Sequence, residues 1–346
     1  MLFRSDHPSI TWIEQTEQLG TGHAVNQCRG ALAGFDGNVV VLAGDMPLLR
    51  SETLAMLIDK HESEHSAATL ATAVLENPKG YGRIVRDPYG NLQGIVEESD
   101  CSESQRAIRE INPSYYCFDK TLLLSALDKI RPENVKGEYY LTDALHILIR
   151  GGHRAVAITA VKSEDAMGIN SRHQLAEVSK LMQERIQNNL MNNGVTIVDP
   201  PNTWIDVRAE IGQDTVIHPF TFIHGVVKIG KRCSVGPFAY IRHASTLDDD
   251  VVVGCFTELK NAHLGESARA RHHSYIGDAT IGRRVDVGTG TVFANFDGHQ
   301  IHHSRIDDDT YIGSGSILVA PIHVAQGTQI QPGTILADHA REHLTP

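Results

Sequence analysis

The stretch EQTEQLGTGHAV at residues 14–25 sets a Gly-Thr-Gly between a glutamine and a histidine. Glycine lets a backbone approach a ligand closely, and an amide can pair with the polar edge of a ring, so this loop is a candidate for holding a small polar molecule. Asp45 follows the apolar run NVVVLAG. A carboxylate at the carboxyl end of a strand faces the crevice in which open α/β sheets bind ligands. Taken singly, a Gly-Thr-Gly is more often a turn, and an aspartate after a strand more often a solvated loop or cap. Nineteen histidines are present, yet the pairs at 272–273 and 302–303 lack the spacing of zinc ligands. Five scattered cysteines, with no Cys-x-x-Cys, point to a reduced, cytoplasmic protein.

The elements that must position these residues come in two rhythms. With 346 residues, the chain has room for about two domains. Its formal net charge of −11 argues against nucleic acid or an anionic membrane as main partner. The first residues lack a signal-peptide core, and no apolar run approaches the roughly 20 residues that span a bilayer. Up to about residue 170, strand-like runs (NVVVLAG, AATLATAVL, AVAITAV) alternate with helix-like ones. Among the latter are SETLAMLIDKHESE, expected to be capped by Ser51, and GEYYLTDALHILIRGG. Such alternation predicts a mainly parallel sheet with helices on both faces. A helix connects at 171–194, with Leu175, Val178, Met182, Ile186 and Leu190 on one face.

From 195 to 346 the period becomes six. Ile211, Ile217, Ile223, Ile229, Val235, Ile241, Leu247, Val253 and Leu259 recur at that spacing. The register resumes as Ile306, Ile312, Leu318, Val324, Ile330 and Leu336, after an insertion, FANFDGHQIHHSR. A six-residue repeat predicts a parallel β-helix with three short strands per coil and the aliphatic residue pointing inward.

The ordered motifs QTEQLGTGHA, LAGDMPLL, NPKGYGRIVRD, GIVEESDC, EINPSYYCFD, GEYYLTD and GINSRHQL fill the first half. GPFAYIR, GCFTELKNAHLG, HHSYIGDATIG, VGTGTVFANFDG and YIGSGSILVAP fill the second. Together they resemble the bacterial bifunctional N-acetylglucosamine-1-phosphate uridyltransferase/glucosamine-1-phosphate acetyltransferase family along nearly the whole chain. The resemblance implies a Rossmann-like nucleotidyltransferase domain over 1–170 and a left-handed parallel β-helix acetyltransferase domain over 195–346. It implies UTP and acetyl-CoA as co-substrates, Mg2+ as the metal, a homotrimer, and a place in cell-envelope precursor synthesis. Carried over by motif, Gln15, Gly20, Thr21, Gly82, Glu97, Asn112 and Asn170 would bind the nucleotide sugar, and Asp45 with Asn170 the Mg2+. In the family a glycine-rich phosphate loop ending in lysine precedes QLGTG. This sequence begins inside that pattern, and the expectation is an impaired uridylyl site. Ala43 also stands where the family has an aromatic residue.

In the second half, His272 matches the family's catalytic histidine, a general base for an amine that sheds its proton while attacking a thioester. Arg242 and Lys260 match its phosphate-binding cations. Tyr275, Asp286 and Asn295 match further sugar contacts, and Thr289, Asn295, Phe296 and Ser314 the acetyl-CoA contacts. Asp286 replaces the family's asparagine and Phe296 its tyrosine, and the family's basic carboxyl-terminal tail is not matched. These departures leave a second expectation, a non-catalytic trimeric scaffold; a third is a nucleotidyltransferase that works despite the truncated pattern or with a supplied fragment.

Overall fold

The computed structural model describes residues 9–337. It divides into two compact units between Ser179 and Lys180, within the helix Arg172–Asn192.

The first unit is built on six strands: β1 (Asn38–Leu42), β2 (Ala68–Val74), β3 (Gly82–Arg86), β4 (Leu92–Val96), β5 (Glu110–Asp119) and β6 (Ala155–Thr159). Strand β5 is central, with β2 and β1 on its two sides and β3 beside its first residues. The expected mainly parallel sheet is not what forms. Only β2 and β6 pair in parallel; β1, β2 and β3 all run antiparallel to β5, and β3 and β4 form an antiparallel pair. The physical reason is that β1 and β2, which do run in the same direction, are separated by β5, which enters between them in reverse. Helices do cover both faces. Tyr116 and Phe118 of β5 pack with Leu141, Leu145 and Leu148, whereas Tyr115 and Cys117 pack with Leu57. That split follows from the two-residue period of a strand.

Helix α1 (Ser51–Ser63) starts one residue earlier than a Ser51 cap requires. Arg50 is its N-cap without a side-chain bond, and Ser51 is already helical. The buried residues of α1 are Thr53, Leu57 and His61. His61 is 2% exposed. Its ring lies 3.1 Å from Thr69 Oγ1 on β2 and 3.2 Å from Asn38 Oδ1 on β1.

The second unit is the expected parallel β-helix. One sheet stacks eight short strands, and the other two faces merge into a thirteen-stranded sheet. All pairing between coils is parallel, and inward residues stack on inward residues, as in Ile217 on Val235 and Ile223 on Ile241. The repeat positions form one core from Ile197 to Ile330. The register does not lapse after Leu259. It continues through Leu264, Ala270, Ile276, Ile281, Val287 and Phe293, all buried. Two coils are one residue short, because the turns Lys260-Asn261-Ala262 and Gly277-Asp278-Ala279 replace the longer Arg242-His243-Ala244-Ser245. In the next coil the same corner carries the insertion, which leaves at Asn295, folds back through a Phe296–Ile301 bridge and returns at Ser304.

The helix α2 (Arg172–Asn192) meets the first coil through residues that an apolar stripe does not mark. Gln183 Nε2 donates to Ile205 O at 2.8 Å and Gln183 Oε1 accepts from Ile205 N at 2.9 Å, while Gln187 Nε2 donates to Thr203 O at 2.7 Å. Leu190 is buried there, whereas Leu175 is 49% exposed. The end of a coil stack presents unpaired backbone groups, and the two glutamines satisfy them. Among the described residues no helix is long and apolar enough to cross a membrane.

Burial holds the His61 imidazole below its ordinary pKa, against a smaller opposing effect of Asp119 and Glu62. The unfolded chain therefore takes up the proton first. The stability that neutral His61 provides is complete above pH ~6.5 and is lost as the pH falls below it, by at most about 1.4 kcal/mol per pH unit. Thermal melts at pH 7.5 and pH 5.5 should show His61→Gln less stable at the higher pH but with a flatter pH dependence. Parallel profiles for the two proteins would remove His61 from the acid response.

Candidate functional sites in the two units

In the first unit, β2 and β5 break register between Ala71–Tyr115 and Ala73–Ile111. Thr72 therefore faces three residues, Asn112-Pro113-Ser114, a bulge with Ser114 at φ +65°. A bulge re-aims side chains and concentrates strain at sites. Here it brings Asn112 and Ser114 to the wall of a cleft of about 220 Å³. Asp45, Gly82, Glu97, Asn112 and Asn170 all line this cleft, so the fold gathers five residues that the sequence spreads over 125 positions. Lys79, Tyr81 and Ser114 line it too. They lie inside the quoted motifs NPKGYG and NPSYY, but composition alone did not single them out.

Glu97 is held between Gly82 and Thr142. The Thr142 hydroxyl donates to Glu97 Oε1 at 3.2 Å, and a β-carbon on residue 82 would come within 2.9 Å of Ile95 and 3.3 Å of Glu97 Oε2. Burial raises the Glu97 carboxyl above its ordinary range, with Thr142 and Lys136 opposing. Asn112 is buried, donates to the Tyr116 hydroxyl at 2.6 Å and accepts from Ser114 N at 3.0 Å. Asp45 O accepts from Ile169 N at 2.9 Å, which draws the segment bearing Asn170 alongside Asp45. A carboxylate and an amide oxygen with open space between are hard oxygen donors that suit Mg2+, which keeps most of its shell for phosphate and water. No group of three His, Cys, Asp or Glu gathers for a metal among the described residues.

Gln15, Gly20 and Thr21 are not among the residues lining that cleft. Their loop closes on the chain itself. Gly22 N donates to Tyr139 O at 2.7 Å and Tyr139 N to Leu19 O at 2.8 Å. Gly20 has φ +112°, and a β-carbon there would lie 2.6 Å from Tyr139 O. Thr21 Oγ1 accepts from Leu141 N at 2.9 Å, and Gln15 Nε2 donates to Gly20 O at 3.2 Å.

In the second unit, stacking turns spacing into columns. Arg242, Lys260, Gly277 and Ala294 occupy one position in successive coils, as do Asn261, Asp278 and Asn295. The two cations are thus neighbours, one coil apart. Each already has a carboxylate. Arg242 donates to Glu258 Oε1 at 2.8 Å and covers the Tyr240 ring, and the Glu258 bond raises its pKa. Lys260 Nζ lies 3.7 Å from Asp278 Oδ2. Tyr275 and Asn295 join the group through an Asn295 Nδ2 to Tyr275 hydroxyl bond of 3.4 Å. Glu258 and Asp278 were not picked out from the sequence, although both lie in quoted motifs.

His272 stands at the opposite corner of the same face. Five positions along the chain separate it from Gly277, a reach of at most about 17 Å at roughly 3.3 Å per residue, with a corner at His273 between them. Among the described residues no hydrogen bond or ion pair links His272 to Arg242, which pairs with Glu258, or to Lys260, which lies nearest Asp278. The structure does separate His272 from His273. The latter, at φ +49°, stacks on Phe256 with centroids 4.9 Å apart, extending an exposed ladder of Phe220, Phe238 and Phe256. His272 is exposed and its Nδ1 lies 3.5 Å from Cys255 Sγ. For Nε2 to accept a proton, Nδ1–H donates to that sulfur. Beyond His273 the ladder positions become Gly290, Gly315 and Gly333, beside Thr289 and Ser314. The bulky ladder therefore stops at His273 and gives way to a row of glycines beside Thr289 and Ser314. Asp286 lies on the outer side of the eight-stranded face between Arg269 and Tyr311. Phe296 is 60% exposed at the base of the insertion.

Residues 4–207 match the nucleotidyl transferase family model, and residues 208–243 the bacterial transferase hexapeptide model of six repeats. The bifunctional protein GlmU of Geobacillus sp. (strain WCH70) is 41% identical, over 95% of this chain and 79% of its own length. That of Heliobacterium modesticaldum is 41% identical, over 96% and 79%. That of Pelotomaculum thermopropionicum is 42% identical, over 89% and 75%. A nucleotidyltransferase unit followed by a hexapeptide β-helix, matched at this identity across nearly its full length, makes this chain a member of the bifunctional GlmU family.

Proposed function

We propose that the chain acts in UDP-N-acetylglucosamine synthesis, with a nucleotidyl-transfer site in the cleft of the first unit and an acetyl-transfer site on the β-helix. The observation that carries this reading is the column in which Arg242 and Lys260 sit on adjacent coils beside Tyr275 and Asn295. Two cations at this spacing suit a phosphate dianion, and the hydroxyl and amide beside them suit a sugar.

At the β-helix, the neutral amine of glucosamine-1-phosphate attacks the thioester carbonyl of acetyl-CoA. A C–N bond forms, the C–S bond breaks, and the amine proton passes to His272 Nε2 as the CoA thiolate leaves. The glycine row beside Thr289 and Ser314 would receive the extended cofactor, with Asn295 and Phe296 as further contacts. The gap between His272 and the cations is closed between copies. Exposed aromatic rows support this assembly: Trp204 stacks on Phe222 at 6.1 Å and Phe222 meets Tyr240 at 5.6 Å, beside the Phe220–Phe238–Phe256 ladder. Solvated rows of this kind mark interfaces, and a homotrimer in the cytoplasm is the arrangement proposed. In the first unit, Glu97, Asn112 and the space left by Gly82 would hold the sugar. Asp45 and Asn170 would hold Mg2+, whose charge when bound offsets that of the phosphates. Gln15, Gly20 and Thr21 would take the uracil at the rim.

His272→Ala should lower acetyl transfer about 10²- to 10⁴-fold in a thiol-release assay, with the circular-dichroism melt of the β-helix unchanged; retained activity excludes this residue. Phe222→Asp should convert a three-copy mass in light scattering to a single copy and lose acetyl transfer with it. A mutant that keeps its mass would place the interface elsewhere. Because burial raises the Glu97 pKa, its ionised form destabilises the fold at pH 7, and that cost is relieved only as the pH falls through the folded pKa toward the lower unfolded value. Glu97→Gln should therefore melt a few degrees higher at pH 7, while calorimetry shows binding of UDP-N-acetylglucosamine at least ~10-fold weaker. A lower melting point would contradict the burial argument.

A further inference from the structure

Asp278 stands between Asn261 and Asn295 in the column beside the two cations. It is 6% exposed and has φ +49°, a left-handed conformation that strains a residue other than glycine. Asn261 Nδ2 donates to its Oδ1 at 2.7 Å, and Asn295 Nδ2 donates to its Oδ2. An ionised carboxylate only accepts hydrogen bonds, so each amide must turn its NH2 toward Asp278 and its carbonyl oxygen away. The neighbouring Gly277 leaves the room for this. A β-carbon there would lie 2.5 Å from the Tyr275 hydroxyl and 2.6 Å from Asn295 Nδ2. Asn295 is itself 7% exposed, yet its Oδ1 takes no hydrogen bond from a described residue and is not sealed from solvent.

We propose that Asp278 is a positioning residue for acetyl transfer: its buried carboxylate fixes the amide of Asn295 so that Oδ1 faces the amino sugar as a hydrogen-bond acceptor. The inference rests on the acetyl-transfer reading above. An acceptor at that point takes an N–H of the attacking amine and leaves the nitrogen lone pair to the thioester carbon. A donor there would instead compete for the lone pair. The short turn is what makes the arrangement possible. Seventeen residues separate Asn261 from Asp278 and Asp278 from Asn295, so the three side chains stack directly and the carboxylate reaches both amides. Asp278 touches no part of the reacting atoms and acts through Asn295.

The test measures kcat and KM for glucosamine-1-phosphate and acetyl-CoA with the full chain. In Asp278→Asn one of the two flanking amides must flip. We expect kcat to fall 10- to 100-fold, with KM for acetyl-CoA within threefold of wild type. The double variant Asp278→Asn/Asn295→Asp returns an obligate acceptor to position 295 and a donor to 278. It should recover at least tenfold of the lost kcat even where the single variant melts early. A single variant with kcat within twofold of wild type, or a double variant with no recovery, overturns the role of Asp278 alone. A wild-type chain that releases no thiol overturns the acetyl-transfer reading, and this inference with it.

Discussion

Coil-to-coil hydrogen bonding is the constraint on which the second unit depends. Each short strand gives its N–H and C=O groups to the strands of the coils on either side, so a residue must lie over its counterpart one coil away. Inward positions then bury aliphatic side chains in a continuous core, and outward positions become columns. A column is a rigid ruler. Arg242 and Lys260 cannot drift apart without dragging Ile241 and Leu259, both fully buried, out of register. The terminal coil has no further coil to pair with at that end, and Gln183 and Gln187 fill the role with side-chain amides. Position at the site is therefore inherited from the core rather than from any bond within the site.

The first unit reaches the same end by a different route. Its central strand, β5, is paired on both sides, and a strand so held has no freedom to present side chains to a ligand except where pairing fails. It fails at Asn112-Pro113-Ser114, three residues against Thr72 alone. The bulge pushes Asn112 and Ser114 to the cleft while Ile111 and Tyr115 on either side stay fully buried. Strain at Ser114 is tolerated because the flanking pairs over-determine the backbone.

Much of this was legible in the sequence, and the failures have physical causes. The six-residue repeat announced the β-helix because every inward position meets the same requirement. It went silent after Leu259 because two turns lost one residue each, and a fixed period cannot follow a shortened corner even though Leu264, Ala270 and Ile276 keep the core filled. Those shortened corners are the ones that carry Lys260, Asn261 and Asp278. The parallel sheet was misread because alternation of strands and helices reports connection lengths, and says nothing of β5 passing between β1 and β2. The stripe on α2 misled in a related way, since a coil end offers polar backbone groups and the helix answers with glutamine. Charge was the least readable feature. Arg232, Arg283 and Arg284 resemble Arg242 in the sequence, yet they pair with Asp250, Asp308 and Asp309 of the next coil at another corner, at 2.7 Å, 3.0 Å and 2.7 Å, as structural rungs.

The two cations of the proposed site differ from those rungs in how firmly they are held. The Arg242–Glu258 pair has both side chains more than a third exposed, a setting in which an ion pair contributes about 0–1 kcal/mol. A phosphate with two charges can displace Glu258 at little cost. Lys260 is another matter, because its carboxylate partner is buried and cannot leave. Asp278 spends its lone pairs on two asparagine amides, however, and the lysine is left at 3.7 Å, beyond ordinary hydrogen-bond reach. The ammonium is kept near by charge yet is not tied down by geometry. Asn261 and Asn295 thus do more than line the column: by occupying Asp278 they keep Lys260 available to a phosphate.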